Sequence, residues 1–320
     1  MWSLKKKIVS CMLAVMCVMP WLNISTCESA EVLNWKVGDE TVTVPAEVLS
    51  LLLDAEQAQA NGDYLTELKY VEEGVERFPN EAIFYYMRAA LYPMPEVGKK
   101  EKVMENLDKA IELNPDFIRA YYYRGEQYIY RMEYDKAVAD FTRTIALQPD
   151  SVYSYYMRAC AYYKKKEIDN TIADYSKVIE LAPERSDFER FERARLYFTQ
   201  GKYDDAILDC NVLIQNNKEM RGARGKGDNS DVKGVRMLIG PYGLYYSAND
   251  YDEEHKDYNR RFLDSRSSLS KVYILRGKNY YAQGKYREAL ADGKEVIAQN
   301  PKSKAAKELI EKAEAALKNK

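Results

Sequence analysis

Apolar and small residues recur along this chain at helical spacing, and the pattern returns about every 34 residues. In the stretch Ile118 to Ser151, Tyr121, Gly125 and Tyr128 fall at unit positions 4, 8 and 11, one face of a helix. Ala137, Phe141 and Thr144 fall at positions 20, 24 and 27, one face of a second helix, with turn residues Arg131 to Asp135 between them. Proline closes the unit. Pro79, Pro115, Pro149 and Pro183 are spaced 36, 34 and 34 residues apart, and a fifth copy ends at Pro301. A proline cannot continue the second helix, so each one marks its end.

A period of this length predicts an all-α solenoid of helix pairs, each burying its apolar face against its neighbours. Six units are legible. Val152 to Arg185 repeats the pattern with Tyr155, Ala159, Tyr162, Thr171, Tyr175 and Pro183. Asp187 to Met220 has Ala194, Tyr197, Gly201, Tyr203, Ala206 and Ile207 but lacks the proline. Ser270 to Ser303 has Tyr273, Gly277, Tyr280, Gly284, Tyr286, Ala289 and Pro301. Ala82 to Asp116 has Tyr85, Ala89 and Tyr92, with two extra residues near Pro93 to Gly98. Val48 to Glu81 is the weakest copy, with Leu51, Ala55, Gly62, Tyr64 and Pro79. Position 20 departs from a small residue at Glu67, Val103 and Thr171.

The pattern predicts five units over 48–220, an insertion at 221–269, a sixth unit at 270–303 and a capping helix at 304–320. Residues 28–47 form an N-terminal extension in which alternation about Gly38-Asp39 suits a small hairpin. The insertion opens on a Gly- and charge-rich run, Arg221 to Lys233, read as a loop. Further on, Val235 to Ala248 fits either a hairpin or a decayed seventh unit.

These residues resemble the tetratricopeptide repeat family. The resemblance implies a right-handed solenoid whose helix-A positions 2, 5, 9 and 12 line a concave, peptide-binding groove. Carried onto this chain, the groove residues are Tyr86, Arg119, Tyr122, Glu126, Tyr153, Tyr156, Tyr163, Phe191, Arg195 and Phe198. Tyr122, Tyr156 and Phe191 would form a ladder at position 5, off the helix A–helix B seam. Chaperone-binding relatives clamp a peptide carboxylate with a Lys–Asn–Lys–Arg set; here Glu126 and Cys160 stand where that clamp wants Asn. The competing account of the aromatic stripe is that Tyr, with 28 copies, is this chain's seam filler.

Charge adds a second repeated feature. Arg124, Arg158, Arg193 and Arg276 occupy position 7, and Asp140, Asp174, Asp209 and Asp292 occupy position 23, with Asn106 opposite Arg88. These positions flank the seam, so four ion pairs are expected across helices A and B. Partly exposed pairs of this kind contribute about 0.3–1 kcal/mol each.

Lys5 to Lys7 before an apolar run to Met19 reads as a signal peptide over residues 1–27, hence an exported, periplasmic or secreted protein. Ile24-Ser25-Thr26-Cys27 is an imperfect lipoprotein box, so lipidation of Cys27 is the minority reading and the only route to a membrane. Removing the signal takes the net charge from −2 to near −5, which argues against nucleic acid. Cys160 and Cys210 lie in different units, no Cys-x-x-Cys exists, and the single His255 has no soft co-ligand nearby, so no metal or cofactor is expected. Gly225-Lys226 lacks the context of a phosphate loop. The chain reads as a non-catalytic scaffold for a protein or peptide; glycan or cell-wall polymer binding on the same tyrosines is the alternative.

Overall fold

The computed structural model describes residues 32–37, 40–184, 186–224 and 266–319. The expected signal segment, Cys27 and the body of the insertion with His255 lie outside them. Among the described residues, two strands precede thirteen α-helices. Strands β1 (Val32–Val37) and β2 (Glu40–Pro45) pair antiparallel, with Trp35 opposite Val42. The helices are α1 (Ala46–Ala60), α2 (Tyr64–Arg77), α3 (Ala82–Leu91), α4 (Val103–Leu113), α5 (Ile118–Tyr130) and α6 (Tyr134–Leu147). There follow α7 (Val152–Lys164), α8 (Ile168–Leu181), α9 (Asp187–Thr199), α10 (Tyr203–Arg224), α11 (Arg266–Ala282), α12 (Tyr286–Gln299) and α13 (Lys304–Lys318). Each helix packs on the next within two compact units, one of described residues up to Pro149 and one from Asp150 onward. The architecture is an all-α solenoid of helix pairs.

The prolines act as expected of the residue before them. Phe78, Asn114, Gln148, Ala182 and Asn300 cap the second helices, with φ between −131° and −139° and ψ well outside the helical range. The unit without a proline shows the converse. Asn217 and Lys218 stand where the others stop, and α10 runs on to Arg224, 22 residues against 14 in α6, α8 and α12. Residues 221–224, expected in a loop, are therefore helical, as are residues 266–269, which open α11.

Small residues set the helix spacing. A Cβ on Gly125 would lie 2.8 Å from the Phe141 ring, so α5 and α6 approach to a distance only glycine allows. In the first unit, Leu52, Phe84, Leu91, Leu107 and Phe117 are fully buried in one core, with Val44 of the hairpin beside them. In the second, Phe191, Cys210, Leu213, Leu269 and Val272 join α9, α10 and α11. Leu309 and Ala313 of α13 cover Ala289, which closes the last pair.

Candidate functional site

The four Arg–Asp pairs form two-pronged bridges. Arg124 Nε and Nη2 donate to the two Asp140 oxygens at 2.9 and 2.7 Å. Arg158 meets Asp174 at 2.9 and 2.7 Å, Arg193 meets Asp209 at 2.8 and 2.6 Å, and Arg276 meets Asp292 at 2.9 and 2.6 Å. Arg88 instead donates Nε to Asn106 Oδ1 at 2.7 Å. The expected partial exposure needs correcting on the acid side. The four aspartates are 4% exposed, so these pairs are largely desolvated and fall outside the surface regime of 0.3–1 kcal/mol. Burial pushes the Asp140, Asp174 and Asp292 carboxyls up, offset in part by their arginines.

Two further parts of this device were not legible in the sequence. Three of the four guanidinium groups lie over tyrosines at positions 4 and 11 of their own helix: Arg124 over Tyr121 and Tyr128, Arg158 over Tyr155 and Tyr162, Arg276 over Tyr273 and Tyr280, all within 5.9 Å. Arg193, with Arg190 at position 4, lies over Tyr197 at position 11. The third guanidinium nitrogen reaches back to position 25 of the preceding unit. Arg124 donates Nη1 to Asp108 at 2.8 Å, Arg193 to Ser176 at 2.8 Å and Arg276 to Asn211 at 2.6 Å. One arginine thus ties its own two helices and the helix before them. Asp, Ser and Asn accept equally well there, which is why no residue repeats at position 25.

The helix-A stripe divides differently from expectation. Tyr86, Tyr153 and Phe191 are 3%, 5% and 8% exposed and belong to the interior, not to a groove surface. Tyr86 packs its ring 5.1 Å from that of Phe117, in the turn before α5, and Phe191 is enclosed by α10 and α11. Position 5 is therefore a second seam, between successive pairs. Tyr122 lies in the first unit and Tyr156 in the second with Phe191, and both tyrosines are half-buried. Arg119 and Glu126 beside Tyr122 are half-buried as well.

In the second unit, Tyr163 is 43% exposed, Arg195 is exposed and Phe198 is half-buried. Phe198 packs against Tyr203 at 5.9 Å. Arg195 donates Nη1 to both Glu192 oxygens at 2.9 and 2.7 Å, so its charge is already matched. Beneath this surface lies a polar cluster. Burial pushes the Tyr156 and Tyr175 hydroxyls well up, with Cys160 and the completely buried Glu189 adding to the shift. Burial likewise pushes the Cys160 thiol up to about 12, which leaves it protonated and unreactive at neutral pH. No group of His, Cys, Asp and Glu among the described residues could hold a metal ion. No helix among them is long and apolar enough to cross a membrane.

Tetratricopeptide repeat family models match residues 119–151, 152–185 and 270–303. Hsp70-Hsp90 organizing protein 3 of Arabidopsis thaliana is 30% identical over 92 residues, which cover 27% of this chain and 16% of that protein. The Hsp70-Hsp90 organizing protein of Triticum aestivum is 32% identical over 75 residues, covering 23% and 13%. The matched stretch thus spans less than a fifth of either relative. Among solved structures, YrrB, a TPR protein with an unusual peptide-binding site, is 16% identical with a TM-score of 0.49, covering 74% of this chain and 95% of its own. A tetratricopeptide repeat protein from Parabacteroides merdae is 17% identical with a TM-score of 0.46, covering 83% and 98%. With matched repeats in each unit and the same positions filled in the remaining helix pairs, this chain carries tetratricopeptide repeats.

Proposed function

We propose that the chain is an exported, non-catalytic scaffold that binds a protein or peptide along the helix-A stripe of its second unit. The observation that carries this reading is the exposed Tyr163 on α7, flanked by the half-buried rings of Tyr156 on α7 and Phe198 on α9, beside the neutralised Glu192–Arg195 pair. Aromatic rings with polar tips offer large contact area at low entropic cost. The rings at positions 4 and 11 are occupied by the arginines, so the seam-filler account covers those tyrosines and the interior stripe residues but not the exposed Tyr163. The chaperone-organizing relatives support a scaffold role; Glu126 and Cys160 argue against their carboxylate clamp.

The test is affinity capture on the chain from residue 28 onward, then binding of the captured partner to a Tyr163→Ala, Phe198→Ala double variant. Loss of affinity by about 2 kcal/mol with an unchanged melting temperature supports the reading. Undiminished capture by the double variant overturns it, and retention on cell-wall polysaccharide alone would replace it with a glycan-binding role.

A further inference from the structure

Glu67 on α2 is completely buried, and neither of its carboxylate oxygens has a hydrogen-bond partner among the described residues. It occupies position 20, where Ala137, Ala206 and Ala289 let the helices of other pairs close. Its neighbours on the buried face of α2 are Leu68, Val71 and Gly74. At Gly74 an added Cβ would meet the Phe84 ring of α3 at 2.3 Å, so α2 and α3 are in tight contact here.

Among the described residues, no cation is placed to pair with it. From α1 come Glu47, Asp54 and Glu56; only Glu56 is half-buried, and burial pushes its carboxyl up too. From α3 come Tyr85, Tyr86 and Arg88. Tyr86 is turned to Phe117, and Arg88 donates to Asn106 and lies over the Tyr85 ring. Lys69 on α2 itself is exposed. The contrast with Asp140 is direct: that buried acid has a two-pronged arginine, whereas the Glu67 oxygens have no hydrogen-bond partner among the described residues. Such a site holds the neutral acid and rejects the anion.

We propose that Glu67 is a proton-controlled latch: its neutral form lets the α1–α2 pair close on α3, and its ionisation drives that pair away and uncovers Ile83, Phe84 and Leu91. Burial alone pushes its carboxyl up to about 8 from an ordinary value of 4.5. The folded value lies above the unfolded one, so the stability this group contributes is complete below the ordinary value and is lost as pH rises through about 8. The opening constant of the pair should therefore rise about 50-fold between pH 6 and pH 8 and level off above that.

Hydrogen exchange on the full chain at pH 6, 7, 8 and 9, corrected for intrinsic chemical rates, reads this directly. Protection over residues 46–78 should fall about 50-fold between pH 6 and 8, while residues 134–147 hold steady. Glu67→Ala, which restores the residue of the other pairs, should flatten the profile. A flat wild-type profile overturns the latch, and so does an unchanged fall in Glu67→Ala. The carbon chemical shift of the Glu67 carboxyl in the wild-type chain provides a check that needs no variant. Titration near 8 supports the latch, and titration in the ordinary carboxylate range sinks it.

Discussion

Arg276 donates Nη1 to Asn211 Oδ1 at 2.6 Å, although 65 residues separate the two in the chain. The bond repeats that between Arg193 and Ser176, which are 17 residues apart. A second bond agrees with it: Gln283 donates to Asp204 at 2.7 Å, as Gln200 donates to Asp169 at 2.7 Å. So α11 stacks on α10 in the ordinary register of the solenoid, although 41 residues separate Arg224 from Arg266 in the sequence.

Excising residues 225–265 in favour of a linker of about ten Gly and Ser residues should leave the fold intact. Loop shortening on this scale stabilises by about 1 kcal/mol through closure entropy. Thermal unfolding of the excised chain should thus match or slightly exceed the parent. A collapse of the transition would show that the excised residues hold α10 and α11 together.

The Arg158–Asp174 pair should behave as a buried bridge. Asp174→Ala leaves a desolvated guanidinium between Tyr155 and Tyr162, and should cost about 3 kcal/mol. Arg158→Lys should also be costly, because an ammonium cannot span both carboxylate oxygens. Replacing both partners with leucine should cost less than the sum of the single changes. Denaturant melts of the four chains decide it. Single losses below about 1 kcal/mol would return the pair to the exposed regime.

Met132 and Lys166 adopt φ of 61° and 63° in turns where Gly62, Gly201 and Gly284 take 73°. A side chain in this left-handed region carries strain of about 1 kcal/mol that glycine escapes. Met132→Gly and Lys166→Gly should each raise stability by about 0.5–1 kcal/mol, and Gly201→Ala should lower it by a similar amount. Melting temperatures of the three variants suffice. A loss in either glycine variant would mean that the side chain, 75% exposed at Met132, makes a contact worth more than the strain.

The helix pairs, their ends and the four ion pairs were legible in the amino-acid sequence because each is set locally. Prolines at 79, 115, 149, 183 and 301 force the residue before them out of the helix whatever surrounds it. Positions 7 and 23 flank the small residues that fix the A–B approach, so Arg124 had to find Asp140. Even the missing proline near Met220 carried information, in the overrun of α10 to Arg224. Tertiary structure alone decided which aromatic rings are surface. Tyr86 and Phe191 share a stripe with Tyr122 and Tyr156, yet they are interior, because packing between successive pairs depends on what the next pair presents. The same holds for Glu67. At position 20 it reads as a weakened seam; only the described helices packed around it, which bury it and offer its oxygens no hydrogen-bond partner, make it a buried acid.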